Sequence, residues 1–155
     1  MSPDHTPGDG APAAPHAEVE QVWPRDGRIR VVGRLHGTPP RPGAVWQLLA
    51  VRRGHGGDRI RRRAVVRGDR FDGELTVEDL TLDDAPTAAA PPTDGDRWDL
   101  HLTDGAATLR VGRRLDDIRG RKAVMVYPWQ PVPGTSCEVR PYYTVEDNLS
   151  LECRA

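Results

Sequence analysis

In the run KAVMVYPWQP, Met125, Tyr127 and Trp129 fall at alternate positions. Alternate residues of an extended strand share a face, so a thioether and two rings would be presented together, opposite Val124 and Val126. Tyr142 falls on the outward set of the C-terminal run CEVRPYY, and Arg140 lies two residues before it on the same face. Exposed aromatic platforms are how β-rich modules grip sugars or apolar partners. An arginine beside them can add a charge-assisted bond to a carboxylate or phosphate. Met125, Tyr127, Trp129, Arg140 and Tyr142 therefore form the candidate ligand-binding set. The same alternation also fits rings packed into the core or lying beneath the loop of residues 81–96.

A second set could do acid–base chemistry. Asp99 and His101 stand two apart in WDLHL, so they share a strand face, and Glu138 is a third candidate. Such a pair could move protons or supply two metal ligands, but it is also what an ordinary solvated strand face looks like. No catalytic nucleophile is expected. The serines are Ser2, Ser136 and Ser150 with no Gly-x-Ser-x-Gly, and no histidine is spaced to activate Cys137. The histidines are scattered, so no metal site is expected. The run GHGG at residues 54–57 has no lysine or helix after it and fits no phosphate loop. No cofactor is expected.

The basic run RIRRR puts Arg59, Arg61 and Arg63 on one face, near Arg52, Arg53 and Arg67. A nucleic-acid groove would want stacking aromatics among these arginines, and none is interleaved. The chain as a whole is balanced, with Lys+Arg 22 against Asp+Glu 23 and a net charge of -1. That balance argues against nucleic acid and anionic membrane as partners.

The elements that must hold these residues are strands. From Glu18 onward, short alternating runs are separated by Gly, Pro and Asp, as in an all-β domain. They are RIRVVGRLH, AVWQLLAVRR, RIRRRAVVRG, RFDGELTVEDL, WDLHL, ATLRVG, KAVMVYPW, CEVRPYY and NLSLEC. Gly68-Asp69 and Asp104-Gly105 mark tight turns between neighbours. Residues 81–96 read as a loop, and LDDIRG at 115–120 as a single turn of helix at most. The pattern predicts one immunoglobulin-like β-sandwich of about nine strands over residues 18–155, preceded by a disordered Pro-, Ala- and Gly-rich leader at 1–17. Trp23, Trp46 and Trp98 are expected as core anchors of their strands.

The C-terminal RPYYTVEDNLSLECRA reads as a hairpin turning at Asp147-Asn148, with Asn148 in the left-handed conformation. Cys137, Val139, Pro141 and Tyr143 share one parity, as do Leu149, Leu151 and Cys153, so one face is apolar. Both cysteines are expected as buried thiols, out of register by about three residues and too far apart to bridge. No run reaches the ~18 apolar residues needed to span a bilayer, and the leader lacks the basic and apolar regions of a secretory signal. The expected compartment is the cytoplasm.

The succession RWDLHL, LRVGRRLDDI, a hydrophobic strand ending in YP, and VRPYYTVEDNLSLE resembles the all-β accessory domain at the C-terminus of certain actinobacterial transferases. These are glycosyltransferases and CDP-glycerol-type glycerophosphotransferases of cell-wall polymer synthesis. The closing motif corresponds to Arg140, Pro141, Tyr142, Asn148, Leu149 and Ser150, and the likeness covers roughly residues 70–153. In such proteins catalysis belongs to a separate α/β domain. The resemblance implies a non-catalytic module that binds a glycan-like ligand or a biosynthetic enzyme partner. The alternative is a small all-β enzyme, of cyclase or isomerase type, acting on a natural product through Asp99, His101 or Glu138. A polar closed interior would favour the enzyme, and a packed dry core the module.

Overall fold

A computed structural model describes residues 15–39, 41–54, 59–81, 92–115 and 126–155. Its ten strands are β1 (His16–Arg25), β2 (Arg28–His36), β3 (Trp46–Arg52), β4 (Arg59–Arg67), β5 (Arg70–Thr76), β6 (Arg97–Thr103), β7 (Thr108–Gly112), β8 (Gln130–Pro131), β9 (Glu138–Tyr143) and β10 (Leu149–Arg154). One 3-10 turn, Val77–Thr81, follows β5. It ends the run expected as strand, because Thr76 and Asp79 cap each other. The Thr76 amide donates to Asp79 Oδ2 at 2.7 Å and the Asp79 amide to Thr76 Oγ1 at 3.2 Å, a reciprocal capping box.

The all-β class is as expected; the immunoglobulin-like sandwich is not. Seven strands close on themselves in the order β3-β4-β5-β2-β1-β7-β6, and β6 pairs back onto β3. The remaining three, β10, β9 and β8, extend from β6 as a flap. Closure depends on two pairings between strands distant in sequence. β6 runs antiparallel to β3 from Gln47↔Thr103 to Arg52↔Trp98, and β1 runs parallel to β7 at Ala17↔Val111 and Glu18↔Gly112. An alternating strand offers one apolar face to a sandwich or a barrel alike, so edge pairing decides between them.

Two glycines make the curvature achievable. A Cβ on Gly33 would lie 1.9 Å from the Glu18 carbonyl oxygen, where β1 passes over β2 beside the bulge between Val19 and Gln21. A Cβ on Gly112 would lie 2.6 Å from the Asp147 carbonyl oxygen, so only glycine lets the turn before β10 dock on β7. The barrel interior is filled by Ile29, Val31, Trp46, Leu48, Phe71, Trp98, Leu100, Leu102 and Val111, all buried. Trp46 and Trp98 are core anchors, 3% and 1% exposed. Trp23 is not: it is 42% exposed, because its parity on β1 matches outward-facing Gln21 and Arg25.

The first 14 residues of the expected leader lie outside the described residues, and β1 begins at His16. Most of the 81–96 loop and of LDDIRG lies outside them as well. The KAVMVYPW strand is corrected for its described part. Residues 126–129 form no strand, and Val126, expected to face the core, is 72% exposed. The C-terminal hairpin forms as β9 and β10 with Cys153 opposite Val139, a slip of two residues from Cys137 rather than three. Asp147, not Asn148, takes the left-handed conformation, with φ 64. Both thiols are free and buried, and Cys137 Sγ donates to the Pro92 carbonyl at 3.1 Å. Burial and the neighbouring Cys137 thiol push the Cys153 thiol up to about 12.

Candidate functional site

The chemistry gathers where β6 changes partner. Residues 97–99 of β6 pair with β10 and residues 101–103 pair with β7, so the ladder on that edge splits at Leu100. A split leaves carbonyls without ladder donors, and a buried carbonyl must find one. Arg110 supplies it. Its guanidinium donates to the Leu100 carbonyl at 2.8 Å, the Leu149 carbonyl at 2.6 Å, Ser150 Oγ at 2.8 Å and Asp99 Oδ1 at 3.1 Å. Arg53, just past β3, donates to the same Asp99 oxygen at 2.9 Å, and the Ser150 hydroxyl does so at 2.8 Å.

This arrangement sets the charges. Burial works to raise the Asp99 carboxyl, but the hydrogen bonds from Arg53 and Ser150 and the Arg110 charge outweigh it and hold it below the usual carboxylate range. Burial, with the nearby Arg110 charge, lowers His101. Burial also lowers Arg110; Asp99 opposes this, while Arg53 and Arg114 add to it.

Over this junction lies an open cleft of about 510 Å³, lined by Arg53, Arg97, Asp99, Arg110, Tyr142, residues 143–146 of the following turn and Asn148. The turn is tied by Thr144 Oγ1, which accepts from the Glu146 and Asn148 amides. Arg114 donates twice to Asn148 Oδ1, at 3.1 and 2.8 Å. The Arg97 guanidinium lies over the Tyr142 ring, 5.6 Å from its centre.

The candidate ligand set is partly brought together. Trp129, Arg140 and Tyr142 share the outer face of the flap, where the Arg140 and Arg154 guanidiniums lie 4.3 and 4.1 Å from the Trp129 ring centre. Carboxylates hold both arginines, Arg140 to Glu152 at 2.9 Å and Arg154 to Glu138 at 3.0 Å. Tyr127 stands apart from them. It packs against Tyr143, on the other face of β9, with ring centres 6.4 Å apart, and Arg113 lies 3.9 Å from the Tyr143 ring centre. Burial raises both phenols. Met125 lies outside the described residues.

Of the acid–base candidates, Asp99 and His101 share the outer face of β6, as their spacing implied. Glu138 is paired with Arg154 at the far end of β9, four residues from Tyr142. At ~3.3 Å per residue that is roughly 13 Å from the Asp99 junction, so the three do not make one constellation. Arg59, Arg61 and Arg63 are exposed on one face of β4. Among the described residues no group of three or more His, Cys, Asp and Glu could hold a metal ion, and no helix is long and apolar enough to cross a membrane.

Sequence reasoning missed Arg53, Arg97, Arg110 and Ser150 as one cluster. A faint signal exists, since Arg97 and Asp99 share parity in RWDLHL and Ser150 interrupts the apolar run NLSLEC. Only the pairing of β6 with three strands brings them together.

No family model matches the chain, and no curated protein matches its sequence. Solved structures do. The chain is similar to a crystal structure of Staphylococcus aureus TarS 217–571, with 17% identity and a TM-score of 0.61 over 93% of its length. It is also similar to a crystal structure of Staphylococcus aureus TarS, with 17% identity and a TM-score of 0.58 over 91%. It spans 39% of the first of those chains and 25% of the second. At this identity the likeness is one of fold, and this chain spans about a quarter of the longer TarS chain.

Proposed function

We propose that this chain is a non-catalytic accessory module in cell-wall polymer synthesis, holding a glycan-like ligand or a partner protein on the outer face of β6, β10, β9 and β8. The observation that carries the reading is the filled barrel. Trp98, Leu100, Leu102 and Val111 fill the barrel interior, whereas the rings and guanidiniums stand outside. Two likenesses support it: the motifs shared with accessory domains of cell-wall-polymer transferases, and a fold that in TarS is one part of a larger chain. The geometry at Asp99 supports it too. One carboxylate oxygen already accepts from Arg53, Arg110 and Ser150, which suits a fixed structural anion better than a proton shuttle.

The test is Trp129→Ala, measured by affinity electrophoresis in gels cast with a purified cell-wall glycopolymer. Hot-spot aromatics dominate binding, so the substitution should cost about 2 kcal/mol of affinity and leave the melting temperature nearly unchanged. Unchanged mobility of the wild type and the variant alike would remove the glycan reading. An unfolded variant would make Trp129 a structural residue and remove the outer face as the site.

A further inference from the structure

We infer that the cleft beside Tyr142 is an anion subsite that takes the phosphoryl group of a polar ligand. The inference rests on the ligand-binding reading above and narrows it to a place and a chemistry. Its basis is a local imbalance in a chain whose net charge is only -1. Arg53, Arg97 and Arg110 line the cleft, and Arg114 reaches its wall through Asn148. Against these four guanidiniums stand the Asp99 carboxylate, already shared by Arg53 and Arg110, Glu146 on the exposed turn, and Glu152, which lies across the ladder from Arg97 and is held by Arg140. Arg97 and Arg114 have no carboxylate partner among the described residues; the first has only the Tyr142 ring and the second only the Asn148 amide. Burial first, and then the neighbouring charges of Arg53 and Arg114, disfavour the charge on Arg110, and an anion seated in the cleft would offset those neighbouring charges.

One feature favours a phosphoryl group over a carboxylate. The guanidiniums come from separate elements: the end of β3, the start of β6, and β7 with the turn after it. Donors arriving from several directions suit a tetrahedral group with several oxygens better than a planar carboxylate with two. The Tyr142 hydroxyl, on a residue that lines the cleft, is an independent sign of a missing acceptor of whatever kind. It is buried without a hydrogen bond of good geometry. Its neighbour Arg53 can only donate, so the O–H lacks an acceptor. A buried donor without an acceptor is costly and marks a place where one is missing.

The experiment is calorimetric titration of the full chain at low ionic strength with inorganic phosphate, acetate and glucose. Phosphate should bind, and acetate should bind more weakly. A charge-assisted hydrogen bond is worth enough that Arg97→Ala should lower phosphate affinity by roughly tenfold. Its melting temperature should stay unchanged, since Arg97 is exposed. Arg67→Ala makes the same charge change at an exposed position at the end of β4 and should leave phosphate binding intact. Equal losses in both variants would reduce the effect to overall charge and overturn the subsite, as would phosphate affinity unaltered by Arg97→Ala, or acetate binding tighter than phosphate. Glucose binding without phosphate binding would end this inference and leave the module reading standing. Phosphate binding lost in Arg97→Ala, with glycopolymer mobility insensitive to Trp129→Ala, would uphold the subsite and not the Trp129 face.

Discussion

A single carboxylate, Asp99, carries much of the polar organisation at the junction. Its ionised form is favoured in the folded chain, so its folded pKa lies below the unfolded value of about 3.9. The stability it contributes is therefore present above about pH 4 and is lost as pH falls through the folded value. Asp99→Asn should flatten the acid side of a melting-temperature profile, and at neutral pH it should cost about 1–3 kcal/mol, because the Arg53 and Arg110 donors lose their charged acceptor. A profile whose acid limb is unchanged in Asp99→Asn would show that other carboxylates govern acid unfolding. His101 acts in the same direction at higher pH. It is lowered by burial, so stability falls with pH below its unfolded value of about 6.5 until the folded value is reached.

Among the elements, β6 decides most, because it is paired with β3, β7 and β10 at once. Gln130 of β8 reaches back to the barrel in a similar way. It accepts from the Gly27 amide at 2.7 Å and donates to the Arg28 carbonyl at 3.0 Å, which ties the flap to the β1–β2 turn. Gly33 matters through what it lacks. A methyl group there would meet the Glu18 backbone, which is held in the β1–β2 ladder, and backbone cannot rotate away as a side chain can. Gly33→Ala should destabilise by about 3 kcal/mol or more, read from denaturant midpoints. A loss under ~1 kcal/mol, within the range of well-tolerated core changes, would mean that the bulge in β1 relaxes to admit it.

For the whole molecule, closure means that one core serves all seven barrel strands. Leu100 is fully buried within it, on the strand whose pairings close the barrel. Leu100→Ala should cost about 2–5 kcal/mol and shift a single cooperative transition measured by fluorescence and circular dichroism. Separation into two transitions would show that the flap of β8, β9 and β10 unfolds apart from the barrel. The junction cleft lies between these two parts, with its arginines on the barrel and its Tyr142 wall on the flap. A ligand bound there would stabilise their contact by mass action.

Strands β2 to β7, β9 and β10, most of the turns and which residues share a strand face were legible in the sequence, because side-chain alternation is local and strongly patterned. Strands β1 and β8 were not among the expected runs. Gly68-Asp69, Asp104-Gly105 and the apolar face of the C-terminal hairpin follow from neighbouring residues alone, and so does the sharing of a face by Asp99 and His101. Trp23 and Val126 were misread because parity tells which residues share a face, not which face is inside. Barrel against sandwich depended on β3 meeting β6 and β1 meeting β7, contacts between segments some 50 to 90 residues apart whose pairing leaves no period in the chain. The arginine cluster has the same origin: Arg53, Arg97, Arg110 and Ser150 are polar residues on ordinary alternating runs until a split ladder brings four strands to one carboxylate.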